Sequence, residues 1–180
     1  MQFEERTISS REVFKGNIIR VRVDDVELPG GRKSRREIVE HDGGVVIIPV
    51  NKQREILLVE QFRKPVEQTL LELPAGKLEK GEEPLSCARR ELLEETGYSA
   101  GKIEHLLSFY TTPGFSDEIL HLFLAEDLIE GELNPDEDEI IKLHKVMEDN
   151  INEYIYREEI QDGKTIMGLL IWMRRRAIYG

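Results

Sequence analysis

The sequence is short of cysteine, of basic residues and of long apolar runs. Cys87 is its only cysteine, so no disulfide can form within the chain and a reducing cytoplasm is the expected location. The longest apolar stretches, Val45–Val50 and Leu169–Met173, fall far short of the roughly 20 residues that a membrane span needs. The opening Met-Gln-Phe-Glu-Glu-Arg lacks the apolar core of a secretory signal. We therefore expect no membrane partner.

The deficit of basic residues is large. The 180 residues include 25 Lys and Arg against 36 Asp and Glu, which gives a net charge of −11. Because a negative surface repels phosphate backbones, nucleic acid is not an expected partner. An anionic small substrate would need a cation between itself and this protein, and a metal ion is the obvious candidate.

The composition is that of a globular chain. The hydrophobic fraction of 39% is too high for a disordered protein and is sufficient for one domain with a sizeable core. Alternating branched residues predict strands over 11–27, 34–40, 45–50, 55–62, 70–73, 103–111, 119–125 and 140–147. A loop is predicted over 75–83, and helices over 84–96, 148–157 and 164–178. Strands with few helices between them predict an α/β (α+β) fold class.

The first predicted helix concentrates acidic side chains. Pro84 suits its first position and Gly97 suits the position just past its end. At about 100° per residue, Glu94 and Glu95 lie roughly 60° and 40° to either side of Glu91, so the three carboxylates share one arc. Like charges so placed destabilise a helix unless a cation compensates them. Hard carboxylate oxygens favour Mg²⁺ or Mn²⁺ over zinc.

Two interpretations of this helix remain open on its residues alone. A Glu-Glu pair on a helix is commonly a solvated face, and Arg90, one turn before Glu94, supplies part of the compensation. The spacing of particular residues over a longer segment favours a functional role for this helix over a solvated face. From Gly76 to Tyr98 the sequence follows G-x5-E-x7-R-E-U-x-E-E-x-G-U, where U is a bulky apolar residue.

This pattern resembles the Nudix box, with every fixed position filled. The resemblance implies an α/β/α sandwich around a mixed sheet and a divalent-metal-dependent hydrolysis of nucleoside diphosphates linked to another moiety. It implies that Glu91, Glu94 and Glu95 hold the metal, with the main-chain carbonyl of Ala75 as a further ligand. Arg90 would orient the carboxylates, and Glu94 and Arg90 count among the predicted catalytic residues.

Residues outside the box resemble one subfamily in particular. Pro113 stands sixteen positions after Gly97, and Glu60–Arg63 and Leu73–Gly76 flank the box, as in the ADP-ribose pyrophosphatase subfamily. This likeness implies hydrolysis of ADP-ribose to AMP and ribose 5-phosphate. Two alternatives stay open: a hydrolase of another nucleoside diphosphate sugar such as GDP-mannose, and a nucleotide-binding module of this fold without catalysis.

The resemblance also assigns a general base and substrate contacts. The base would lie on the acidic segment 134–139, with Glu137 as the base and Glu139 as a further metal or water contact. Asp136 and Asp138 could exchange roles with them, and an acidic surface loop is the alternative. The predicted substrate-binding residues are Arg36, Arg63, Pro113 and Glu118.

The N-terminal 42 residues form a predicted antiparallel strand element, outside a hydrolase domain over 43–180. In relatives such an element exchanges across a two-fold axis, so the resemblance implies a homodimer with N-terminal strand exchange. An aromatic platform for adenine is expected near 16–19, where this sequence has none; Phe3 and Phe14 are the nearby alternatives.

Overall fold

The computed structural model describes residues 3–132 and 140–179. Within these residues, ten strands and three helices follow one another. The strands are β1 (Arg6–Lys15), β2 (Ile19–Glu27), β3 (Lys33–His41), β4 (Gly44–Pro49), β5 (Glu55–Arg63), β6 (Gln68–Glu72), β7 (Ala75–Lys77), β8 (Tyr98–Tyr110), β9 (Ile119–Glu130) and β10 (Ile141–Met147). The helices are α1 (Pro84–Thr96), α2 (Ile151–Tyr156) and α3 (Gly163–Tyr179), and a 3₁₀ turn at Glu148–Asn150 precedes α2.

The chain divides into two compact units. The first unit comprises Met1–Gly43 and Phe109–Leu120, and the second comprises Gly44–Ser108 and His121–Gly180. In the first unit, β1, β2 and β3 form an antiparallel sheet in that order. Every residue of β1 is exposed, whereas β2 carries the buried Asp24 and Val26.

The second unit is organised around β4, which is buried along its whole length. Because successive side chains of a strand point to opposite faces, β4 contributes to two packed layers. Val45 and Ile47 belong to a core cluster with Cys87, Ala88 and Leu92 of α1.

The opposite face of β4 meets α3. The side chain of Ile48 reaches the backbone of α3 at Gly168, where Leu73 and Leu122 also approach. Helices therefore pack on both faces of β4, with α1 on one side and α3 on the other. Two sheets make up this unit, ordered β7-β4-β9-β8 and β10-β5-β6. The α/β fold class predicted from the sequence is confirmed.

The carboxylate-rich helix has the predicted bounds. Proline at its first position needs no intrahelical N–H partner, and Gly97 adopts a left-handed φ of 73° from which its N–H bonds to the carbonyl of Leu93. Of its apolar side chains, Ala88 and Leu92 are buried, whereas Leu85 is exposed.

Several predicted boundaries were wrong. The single strand predicted over 11–27 is two strands, β1 and β2, and β9 extends to Glu130 instead of ending at 125. Residues 75–77 were expected in a loop, but they form β7, paired with the start of β4. Strand β8 begins at Tyr98 instead of near 103, because the chain leaves α1 at Gly97 directly into extended structure. In the described part of the chain, no helix combines the length and apolarity that a bilayer crossing requires.

Candidate active site

Arg90 lies at the centre of the carboxylate cluster on α1. Its Nη1 atom donates to Oε1 of Glu91 at 2.6 Å and to Oε2 of Glu94 at 2.9 Å. Its Nε and Nη2 atoms donate to the two carboxylate oxygens of Glu82 at 3.1 and 3.0 Å. One partly buried guanidinium therefore holds three carboxylates, two on its own helix and one on the preceding loop.

Glu82 braces the loop that leads into α1. Besides the two bonds from Arg90, its Oε2 accepts the backbone N–H of Glu79 at 3.0 Å. These bonds, the one from Arg90 foremost, lower the pKa of Glu82 from 4.5 to about 2. Hydrogen bonding to Glu82 in turn raises the pKa of Arg90. Glu82 therefore ties this loop to Arg90 of α1.

Glu95 and Glu91 reach back to β7. The buried carboxylate of Glu95 accepts the backbone N–H of Ala75 at 2.9 Å. Glu91 packs directly on Gly76: a Cβ atom built on that glycine would lie 1.9 Å from Cδ of Glu91. The short strand β7 thus places Ala75 and Gly76 against the same helical arc that carries the glutamates.

The donor chemistry of this arc suits a hard divalent cation. The carboxylates of Glu91 and Glu94 already share one cationic nitrogen, Nη1 of Arg90, so their oxygens lie close enough to face a common positive centre. No ready-made group of three His, Cys, Asp or Glu side chains for a metal is found among residues 3–132 and 140–179. The three carboxylates have separate partners instead: those of Glu91 and Glu94 accept hydrogen bonds from Arg90, and that of Glu95 accepts one from the backbone of Ala75.

A second charged network lies just upstream of β7. Glu72, 1% exposed, accepts Nε and Nη2 of Arg63 at 2.7 and 2.9 Å and also the ammonium of Lys164. The pKa of Arg63 is raised, chiefly by its bond to Glu72, and the charge of Glu95 adds to the shift. Arg63, predicted to bind substrate, therefore lies within electrostatic reach of the carboxylate arc. Its Nη1 makes no hydrogen bond in the described part of the chain.

Sequence reasoning missed Glu72 and Lys164 in this network, and also Thr165, whose hydroxyl accepts the N–H of Leu73 at 2.8 Å. Lys164 and Thr165 are the first two residues of the predicted last helix, about ninety positions beyond Glu72 in the sequence. No spacing rule links two such positions. Two signals were available: an arginine at the end of the preceding strand, and an acidic residue inside the apolar run 70–73.

The remaining predicted substrate contacts belong to the first unit. Arg36 donates to the carboxylate of Glu5 at 2.8 and 2.5 Å, and that bond raises the pKa of Arg36. Glu118 accepts the hydroxyl of Thr111 at 2.6 Å, and Pro113 is exposed in the turn between β8 and β9. Glu137 and Glu139 lie outside the described residues.

Cys87 has no catalytic features. It is completely buried, and burial, reinforced by the charge of Glu82, raises the pKa of its thiol to about 12. A thiol that stays protonated is a poor nucleophile, which agrees with its interpretation as a packing residue.

Fold and site together define a hydrolase whose acidic helix follows a short strand and a braced loop. The NUDIX domain family matches residues 40–163, and the family described as nucleoside diphosphate sugar hydrolase N-terminal domain matches residues 5–39. The chain belongs to the Nudix hydrolase family, as the box predicted. Members of this family generally use divalent metal ions.

Individual relatives differ in what their names state. The ADP-ribose pyrophosphatase of Bacillus subtilis is 46% identical over 97% of this chain and 96% of its own length. The methanol dehydrogenase activator of Bacillus methanolicus is 47% identical over 93% of this chain and 91% of its own. The GDP-mannose pyrophosphatase of Yersinia enterocolitica is 35% identical over 73% of this chain and 74% of its own.

A solved structure, titled as an ADP compounds hydrolase, shares the fold. It superposes with a TM-score of 0.89 and covers 100% of this chain and 98% of its own. At 19% identity, this likeness supports the architecture alone.

Proposed function

We propose that this protein hydrolyses the diphosphate bond of ADP-ribose to AMP and ribose 5-phosphate with Mg²⁺. The observation that carries the proposal is the convergence of Glu91 and Glu94 on one cationic nitrogen while Glu95 holds the amide of Ala75. The nearly full-length relative named ADP-ribose pyrophosphatase supports this substrate over other nucleoside diphosphates.

In this proposal Glu91, Glu94, Glu95 and the carbonyl of Ala75 hold the metal. Such an ion neutralises the diphosphate and makes a bound water more acidic. Arg90 keeps the carboxylates of Glu91 and Glu94 oriented before substrate arrives. Glu137 is proposed as the general base and Glu139 as a further metal or water contact, on the chemistry of their carboxylates alone.

Arg63 is the proposed phosphate contact in the second unit. Its bidentate bond to Glu72 uses Nε and Nη2, which fixes the plane of the guanidinium and leaves Nη1 for a phosphate oxygen. Arg63→Lys should raise KM more than it lowers kcat, because lysine cannot hold Glu72 bidentately and also present a second oriented donor. Arg36, Pro113 and Glu118 are proposed contacts to the rest of the substrate.

The deciding experiment is a substrate panel with Mg²⁺: ADP-ribose, GDP-mannose, diadenosine tetraphosphate and NADH. Release of AMP from ADP-ribose with the highest kcat/KM, abolished by a chelator and restored by Mg²⁺, is the expected result. A higher kcat/KM for GDP-mannose would support the alternative substrate, which the names of the GDP-mannose pyrophosphatase relatives suggest. No turnover of any member would favour a binding module.

Glu94→Gln tests the site itself. It removes one carboxylate charge while keeping the size of the side chain, and kcat should fall about 100-fold or more if Glu94 holds metal during catalysis. Glu83→Gln, at an exposed position just before α1, is the matched control. Equal activity of the two variants would contradict the proposed metal site.

We also propose a homodimer in which residues 1–42 exchange between subunits. The support is that β1 is exposed at all ten positions and that Ile8, Val13 and Phe14 lie exposed on it. Light scattering should give twice the 20.9 kDa chain mass, and a chain lacking residues 1–42 should give a monomer. The buried thiol of Cys87 suits the proposed cytoplasmic location.

A further inference from the structure

We propose that the first turn of α3, acting through Glu72 and Thr165, is a positioning device for the metal-binding arc. The proposal rests on the proposed function for its metal, but its structural core can be tested without one. It concerns five consecutive residues, 72–76, which join β6 to the start of the Nudix box.

Every residue of this segment is held by a partner from another element. Glu72 is bound by Arg63 and Lys164, and the N–H of Leu73 donates to the hydroxyl of Thr165 at 2.8 Å. The carbonyl of Pro74 accepts the N–H of Ile47 at 2.9 Å, in the middle of β4. Ala75 and Gly76 then meet Glu95 and Glu91. The chain of contacts therefore begins at α3 and ends on two proposed metal ligands.

The α3 end of this chain is built as a helix cap. Asp162 precedes the helix and its Oδ2 accepts the N–H of Thr165 at 2.9 Å and the hydroxyl of Thr165 at 2.6 Å. The completely buried hydroxyl thus donates to the cap while it accepts from Leu73. The ammonium of Lys164 pairs with Asp162 at 3.0 Å and also donates to Glu72, so it connects the helix cap to Glu72.

This arrangement has a functional consequence. The buried carboxylate of Glu72 binds two cations, and the buried hydroxyl of Thr165 has one donor and one acceptor. These contacts restrict each side chain to a single geometry. Because Ala75 lies two residues beyond Leu73, a shift of the α3 cap moves the amide that orients Glu95. Glu72 and Thr165 are therefore positioning residues: they act on the metal site through the backbone and touch neither metal nor substrate.

Thr165→Val is the sharpest test, because valine keeps the shape of threonine and removes only the hydroxyl. Mn²⁺ alone is the probe, and its dissociation constant is measured by titration calorimetry on the full chain. We expect that constant to rise about tenfold, as for other outer partners of metal ligands. Glu72→Gln should act in the same direction. Thr165→Ser, which restores the hydroxyl, should return Mn²⁺ binding to within about twofold of the wild-type constant.

Glu104→Gln is the matched control. It removes the bidentate bond from Arg175, at 2.8 and 2.9 Å, that ties the other end of α3 to β8. The Mn²⁺ constant should stay unchanged in this variant. If Thr165→Val and Glu104→Gln weaken Mn²⁺ binding equally, or if Thr165→Val does not weaken it, the positioning role is overturned.

Amide hydrogen exchange separates this inference from the proposed function. Without any metal, Thr165→Val should speed exchange of the Ala75 amide at least tenfold and leave the Gly97 amide, bonded to Leu93 in α1, unchanged. An unchanged Ala75 amide refutes the positioning role. If the wild-type protein binds no Mn²⁺, the proposed metal site fails, and the exchange result alone decides this inference.

Discussion

Gly76 and Glu91 lie so close together that a Cβ atom on Gly76 would stand 1.9 Å from Cδ of Glu91. No real Cβ atom tolerates such a distance, and the atoms it would meet are those of a proposed metal ligand. A side chain at this position would therefore displace the Glu91 carboxylate from its place against β7. This contact links the first fixed position of the Nudix box to Glu91, a proposed metal ligand.

Gly76→Ala should displace the carboxylate of Glu91 and lower kcat/KM about 100-fold, because misplacement of a reacting group by about 1 Å has that effect. Steady-state kinetics with ADP-ribose gives the measurement. Gly101→Ala in β8 is the matched control, since a Cβ at Gly101 would meet Asp127, a residue outside the proposed site, at 3.1 Å. A wild-type kcat/KM in Gly76→Ala would show that activity does not depend on the observed position of the Glu91 carboxylate.

Arg90→Gln should destabilise the protein by about 1–3 kcal/mol in a chelator, because three carboxylates lose their shared donor. Addition of Mg²⁺ should narrow the difference from the wild-type protein, since the cation compensates the same carboxylates. Urea denaturation with and without Mg²⁺ measures both effects. Arg89→Gln, at the exposed neighbouring position, should leave stability unchanged, and similar results for the two arginines would contradict this account.

Glu82 should contribute to acid sensitivity. Its pKa is about 2 in the folded protein against 4.5 ordinarily, chiefly because Arg90 donates to its ionised form. The stabilisation is therefore complete above about pH 4.5 and is lost as the pH falls toward 2. The difference in free energy of unfolding between the wild-type protein and Glu82→Gln should shrink over that range. Denaturation curves at pH 7, 5, 4 and 3 test this, and a constant difference would speak against the Arg90 bond.

Cys87 should resist modification in the native protein. With a pKa of about 12 and no exposed surface, its thiol stays protonated at pH 8, where thiol reagents normally react. A colorimetric thiol assay should detect no reaction in the folded chain and one thiol per chain in guanidinium. Rapid labelling of the folded protein, without loss of structure, would refute the burial of this side chain.

The sequence predicted features that depend on near neighbours. The bounds of α1 followed from Pro84 and Gly97, since both act within one helical turn. The common arc of Glu91, Glu94 and Glu95 followed from helical geometry alone. The box could be identified for the same reason, because its fixed positions fall within 23 consecutive residues.

Features that depend on distant pairs escaped sequence reasoning. Residues 75–77 were expected in a loop because three residues carry no periodicity, and their strand character comes from pairing with β4. Arg63 could be named from its subfamily context, but its bond to Glu72 needed the pairing of β5 with β6.

By itself, the sequence determined the acidic helix, the family and the need for a compensating cation, because charge and helical spacing are local properties. Helical spacing already pointed to Arg90 as a partner of Glu94, but tertiary structure alone decided that Arg90 also holds Glu82 and that Lys164 holds Glu72. It also decided that the first turn of the last helix meets the strand leading into the box. Such contacts join residues about ninety positions apart, and only the packing of α3 against β4 brings them within hydrogen-bond distance.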